Sequence, residues 1–205
     1  MPWKPSVTVA AVIERDGRFL LVEEETAEGV RLNQPAGHLD PGESLPTAAA
    51  RETLEETAFV FTPTQLIGVY LWRSPPPPDG NGVTYLRFAF CGELGAHDPE
   101  RALDAGILRA LWLTREEIAA RAAEHRSPLV QRCIDDFLGG ARYPLDLLFT
   151  HPSAVAPVVT STVTPALVSA FAPADPPAVA PAQAGAQVHG AANWAPASAG
   201  ATRPR

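Results

Sequence analysis

Three glutamates, Glu52, Glu55 and Glu56, stand at positions i, i+3 and i+4 in the stretch 45–57, and what they can do depends on whether that stretch is helical. Local signals say it is. Ser44 can accept from the Thr47 amide as an N-cap, Pro46 falls in the first turn where a missing N–H does no harm, and the Ala48, Ala49, Ala50 run has high helix propensity. A helix from about Leu45 to Thr57 puts the three carboxylates on one face. Such a face repels itself, and its natural occupant is a hard dication bound by oxygen, Mg²⁺ with Mn²⁺ able to substitute. Arg51, four residues before Glu55, can offset part of the repulsion or orient a carboxylate. Glu43 lies just upstream in a supporting position, and Gly37 lets the backbone come close to a metal or substrate. An isolated E-x-x-E-E is an ordinary solvated helix face. Six residues held in register across twenty are not, because at roughly one residue in fifteen each that set arises by chance about once in ten million windows.

Composition narrows the classes. The chain has 205 residues, and the first 150 differ in character from the rest, so one domain over 1–150 with an appendage at 151–205 is expected. Residues 1–150 carry 14 Lys and Arg against 22 Asp and Glu, net −8, which argues against an electrostatically driven nucleic-acid binder. An acidic protein would meet a small phosphorylated substrate through a metal. Cys91 and Cys133 have no partner spacing and read as buried reduced thiols, which favours the cytoplasm. The opening MPWKPSV lacks an apolar export signal and no run of eighteen apolar residues occurs, so neither export nor membrane spanning is expected.

The elements that must position the glutamate helix follow from pattern. Residues 7–13 read as a strand, Asp16-Gly17 as a turn and residues 19–22 as the second strand of a hairpin, followed by a solvated acidic loop with Glu23, Glu24, Glu25 and Glu28. Gln34 and His38 flank the helix start, where either can touch a phosphate or hydrogen-bond within the loop. Residues 65–72 and 85–91 read as strands, joined by a polyproline loop over 74–82. Trp72 and Arg73 can clamp a flat phosphorylated ligand, or be a core aromatic and a surface arginine. Arg87 is either solvent-facing or aimed at substrate. Residues 93–108 read as a loop, 110–113 as a short strand, and Thr114 to Glu117 as a capping-box helix start. A last helix begins after Ser127-Pro128, buries Leu129, Val130, Cys133, Ile134, Phe137 and Leu138, and stops at Gly139-Gly140. Together these make an α/β fold, a mixed sheet with helices on its faces. Beyond His151 about half the residues are Ala or Pro with only three charges, so the chain from about Ser153 is expected to be disordered, with Trp194 as its one candidate for partner binding.

The spacing around the helix resembles the Nudix box, Gly-x5-Glu-x7-Arg-Glu-U-x-Glu-Glu-x-Gly-U, where U is bulky and apolar. Gly37, Glu43, Arg51, Glu52, Glu55, Glu56 and Phe59 fit, whereas Thr53 replaces a U and Ala58 replaces the second glycine. A positive φ at Ala58 would cost about 1 kcal/mol. The resemblance implies a Nudix α/β/α sandwich. It makes Glu55 and Glu56 the principal Mg²⁺ ligands, joined by the Gly37 carbonyl, with Glu52 as a third ligand or the water-activating base. Arg51 and Glu43 become orienting residues, and Asp104 or Glu100 a further acidic ligand or base.

Nearly the whole folded part, residues 2–149, also resembles the NudJ-type phosphatases of that family, in residues 4–10, 33–39, 86–90, 126–130 and 142–145. This implies Mg²⁺-dependent release of orthophosphate from nucleoside di- and triphosphates and from thiamine-pathway pyrophosphates, namely thiamine pyrophosphate and its hydroxymethylpyrimidine precursor. The enzyme would act as a monomer or homodimer. Two alternatives share the box: a pyrophosphatase of ADP-ribose or dinucleotide polyphosphates, and a nucleotide sensor without turnover.

Overall fold

The computed structural model describes residues 3–76, 80 and 82–155. Part of the polyproline loop, and the expected disorder and Trp194 of the chain beyond 155, lie outside the described residues. The strands are β1 (Ser6–Ala11), β2 (Glu14–Arg15), β3 (Arg18–Thr26), β4 (Gly29–Asn33), β5 (Ala36–His38), β6 (Phe59–Arg73), β7 (Thr84–His97), β8 (Ile107–Thr114) and β9 (Tyr143–Pro144). The helices are α1 (Leu45–Thr57), α2 (Arg115–Ala120) and α3 (Leu129–Leu138), with short 3₁₀ turns between them.

A mixed five-stranded sheet runs in the order β5-β1-β7-β6-β9, its one parallel pair being β1 and β7. Beside it stands an antiparallel sheet in which β3 pairs with β8 along one edge and with β2 and β4 along the other. The apolar strand runs exist because both faces are covered. Ala10, Val12, Phe19, Leu21, Ala89 and Cys91 point into a core with α3's Val130, Cys133 and Ile134. Their neighbours Val9, Ala11, Ile13, Leu20 and Phe90 point into a second core with α1's Ala48 and Ala49. Alternation along each strand thus serves two layers of helix, which is the expected sandwich.

Several local expectations change. The Asp16-Gly17 turn forms, with φ 53° and 76°, but it joins β3 to the two-residue β2. The β1 run instead joins the other sheet, against β5 and β7, since its buried residues serve both cores. Glu23 and Glu24 belong to β3 and not to a solvated loop: Glu23 is buried and ion-paired to Arg109 (2.7 Å) and Arg121 (2.6 Å). Strand β7 carries on through His97, so the loop expected from 93 begins later. Leu138 is exposed at the end of α3, unlike its neighbours on the stripe. The described chain runs two residues past Ser153, with a 3₁₀ turn at Pro152–Ala154 and a bridge from Val155 to Gly42. Among the described residues, no helix is long and apolar enough to cross a membrane.

Candidate active site

Helix α1 begins as its sequence dictates. Ser44 is extended and its hydroxyl accepts from the Thr47 amide at 3.3 Å, with Pro46 in the first turn. At the other end Ala58 caps the helix in the left-handed conformation, φ 59°, its N–H donating to the Leu54 carbonyl at 3.0 Å. Thr53, in place of a bulky residue, is fully buried and returns its hydroxyl to the Ala49 carbonyl at 2.7 Å. Both departures from the box therefore concern how the helix is seated.

Arg51 organises the acidic face. Its guanidinium donates to both oxygens of Glu43 (3.0 and 2.7 Å), to Glu52 (2.8 Å), to Glu55 (3.0 Å) and to the His38 carbonyl (2.9 Å). Burial alone would push the Glu43 carboxyl up, but its two bonds from Arg51 and one from the Asp40 amide hold it below the usual range. Glu52 goes the other way: its burial outweighs the single bond from Arg51, and its carboxyl is raised. The most buried of the four, Glu56, accepts from the Ala36 amide at 2.9 Å and is pushed up to about 8, chiefly by burial and then by neighbouring carboxylates.

The helix face meets strand β5. A Cβ at Gly37 would overlap the Glu52 carboxylate, so a glycine lets that carboxylate lie against the strand backbone. Asp104, distant in sequence, is brought in by its amide, which donates to the Glu55 carbonyl at 2.9 Å; Glu100 stays exposed on the preceding turn. These donors suit a hard dication: every one is an oxygen, and Glu52 and Glu56 are carboxylates buried without a full counter-charge. Among the described residues no three acidic, His or Cys side chains converge into a ready cage, because Arg51 draws Glu52 and Glu55 while the Ala36 amide draws Glu56.

A cleft of about 1120 Å³ opens from Ala36, Gly37 and His38. Trp72, stacked on Tyr85 (ring centroids 5.8 Å apart, 19° between planes), lines it, as does Arg87, which is buried 7 % exposed; Arg73 does not. Gln34 sits behind the wall. It is fully buried, donates to the Val130 carbonyl at 2.7 Å and accepts from Arg87 at 3.5 Å, so it positions Arg87 rather than facing the cleft. Sequence reasoning missed Thr8, Tyr85, Asn33 and Gln131 on this wall, which no short motif links.

Residues 2–133 match the NUDIX domain family. The chain belongs to the Nudix family. It is a Nudix hydrolase, of a family that acts on phosphoric anhydrides. It is 42 % identical over 147 residues to proteins named Phosphatase NudJ from Escherichia coli (strain K12) and Shigella sonnei (strain Ss046), covering 71 % of this chain and 92 % of each of those. It is also similar to the solved structure of a NUDIX hydrolase from Nitrosomonas europaea, at 53 % identity and TM-score 0.68, covering 73 % of this chain and 99 % of that one. A MutT NUDIX hydrolase from Burkholderia pseudomallei shares the Nudix fold at 19 % identity and TM-score 0.53, covering 65 % of this chain and 98 % of that one.

Proposed function

We propose that this Nudix hydrolase releases orthophosphate, with Mg²⁺ bound, from nucleoside di- and triphosphates and from thiamine pyrophosphate and its hydroxymethylpyrimidine precursor. The observation that carries the reading is the join between helix and cleft: the Glu52 carboxylate lies against Gly37, and Gly37 is also a wall of the cleft. A ligand in the cleft thereby has its phosphate end beside the glutamates. The relatives named Phosphatase NudJ support phosphate release over cleavage inside a diphosphate.

Glu55 and Glu56 would hold the ion, with the Gly37 carbonyl beside them. Bound there, Mg²⁺ would neutralise phosphate oxygens and lower the pKa of a bound water. The protein's own contribution is placement. Arg51 fixes Glu52 and Glu55 relative to each other, Glu43 fixes Arg51, and Glu52, raised by its burial, is suited to take a proton from an attacking water or to complete the ligand set. The buried free thiols Cys91 and Cys133 support a reducing compartment, the cytoplasm.

The test is a product assay. GDP, GTP, thiamine pyrophosphate, ADP-ribose and diadenosine tetraphosphate are incubated with the protein, with Mg²⁺ and with chelator, and products are read by phosphorus NMR. Orthophosphate from the first three, only with metal, is expected. Nucleoside monophosphate from the last two would replace this reading with the pyrophosphatase one, and silence across the panel would point to a sensor.

A further inference from the structure

Five buried side-chain atoms among the described residues have no hydrogen-bond partner: Thr8 Oγ1, Glu24 Oε1, Asn33 Oδ1, Arg87 Nε and Gln131 Oε1. They come from five different elements, β1, β3, β4, β7 and α3, yet all five side chains line the one cleft described above. Thr8, Asn33 and Arg87 are each more than nine-tenths buried. An unmet buried polar group costs about 1–3 kcal/mol, so native folds hold few; Glu24 Oε1 has the Arg126 guanidinium 3.4 Å away, and the four that remain at one wall call for an occupant that satisfies them.

The bonds already made fix which ends are left over. Gln131 gives its Nε2 to Asp135 at 3.0 Å, leaving Oε1 as a true acceptor. Asn33 Oδ1 is likewise buried without a partner, and its amide can present either its oxygen or its N–H to the cleft. Gln34 spends its N–H on Val130, so what it offers Arg87 is an oxygen, and that bond engages Nη1 and not Nε. The wall thus presents the Gln131 acceptor beside one buried guanidinium N–H, with the Thr8 hydroxyl and the Asn33 amide able to act either way and the Glu24 carboxylate, paired to Arg126 at 3.4 Å, at its edge. A phosphate fits that set badly, because its oxygens only accept and would face the Gln131 oxygen and the Glu24 carboxylate, while of the three arginines on the cleft Arg126 already pairs with Glu24 (3.4 Å) and Arg31 with Glu28 (4.0 Å), leaving the buried Arg87 Nε. A nitrogen heterocycle whose edge carries an amino or ring N–H beside a carbonyl or ring nitrogen fits both halves. The Trp72 ring on the same cleft supplies an apolar face for such a ring.

We infer that Thr8, Asn33, Arg87 and Gln131 form a recognition wall for the hydrogen-bonding edge of an aminated nitrogen heterocycle, whose phosphate chain runs to Gly37 and the glutamate helix. The placement of the phosphate end rests on the hydrolase reading above; the wall itself does not. Two sources share this chemistry, the purine of a nucleotide and the aminopyrimidine of a thiamine-type phosphate.

Calorimetric binding in Mg²⁺ separates them and tests the wall. GMP and thiamine monophosphate carry a heterocycle without an anhydride to cleave, and ribose 5-phosphate carries the phosphate without the heterocycle. The wild-type protein should bind at least one of the first two at least about tenfold tighter than ribose 5-phosphate, and whichever binds tighter identifies the source. Asn33→Ala and Gln131→Ala, checked by circular dichroism, should each shrink that preference about tenfold; Gln131, on the half-buried face of α3, decides alone if the first fails to fold. Equal affinity for all three ligands in the wild type, or a preference that survives the substitutions, overturns the inference. None of these ligands has an anhydride, so a failed product assay would leave this result standing, and the reverse also holds.

Discussion

Arg51 grips Glu43 with two N–H groups, Nε to Oε2 at 3.0 Å and Nη2 to Oε1 at 2.7 Å, across eight residues of chain. This fork leaves Nη1 free to hold Glu52 and Glu55 together, so the geometry of the acidic face depends on a residue that lies outside α1. Lysine keeps the charge and loses the fork. Arg51→Lys and Glu43→Gln are both expected to lower kcat about 10- to 100-fold, the range seen when a supporting partner of a metal ligand is removed. Turnover within a factor of two of wild type in either variant would show that the fork is not needed to place the glutamates.

Glu55 is the most exposed of the three glutamates, and among the described residues its side chain accepts only from Arg51. Glu55→Gln keeps the shape and an acceptor for Arg51 while removing the charge that a dication needs, so the fold should persist. Activity should fall at least about a hundredfold, more than for a supporting residue, with a weaker response to added Mg²⁺. Near-wild-type kcat in a Mg²⁺ titration would remove Glu55 from the ligand set.

Ala58 sits where the box has glycine, and three effects compete there. Left-handed φ costs an L-residue about 1–2 kcal/mol; the methyl, 2 % exposed, recovers about 0.8 kcal/mol by burial; and the stiffer unfolded chain recovers about 0.4–1 kcal/mol more. The sum is close to zero, which explains how alanine is tolerated. Ala58→Gly should therefore leave Tm within about 2 °C of wild type, whereas Ala58→Val, β-branched at the same φ, should lower it further. A glycine variant several degrees more stable would mean that the methyl packs poorly.

How far the sequence could be read follows the range of each signal. The start of α1 at Ser44, the capping box from Thr114 to Glu117 and the end of α3 near Gly139 are set within a few residues, and each is where local chemistry puts it. Arg51 and Glu43 were legible as supporting residues from their fixed spacing, but the fork that joins them was not, since the spacing points Arg51 at Glu55, one helical turn away. The partner of β1 was not, since Val7 to Ala11 would suit a hairpin as well as a parallel pairing with residues 86–90 of β7, and only the two-sided burial decides. The cleft wall was the least legible. Arg87 stands out as a basic residue in an apolar strand, but Thr8, Asn33 and Gln131 join it on the cleft only when both sheets and α3 are assembled, and each of those three alone reads as an ordinary polar residue.

Glu23 reverses an expectation and yields a pH prediction. Placed in a loop by its acidic neighbours, it is instead buried in β3, where bonds from Arg109 and then Arg121 hold its carboxyl below the usual glutamate range. A carboxyl lowered on folding binds its proton more readily in the unfolded chain, so its contribution is present above about pH 4.5 and is lost as pH falls through the lower folded value. Arg109 is largely exposed, so solvent screens that half of the network. Glu23→Gln should lower Tm by about 2–4 °C at pH 7, and the gap from wild type should narrow on acidification below pH 4.5. A gap that stays constant from pH 7 to pH 3 in thermal melts would assign the loss to packing and not to the charge.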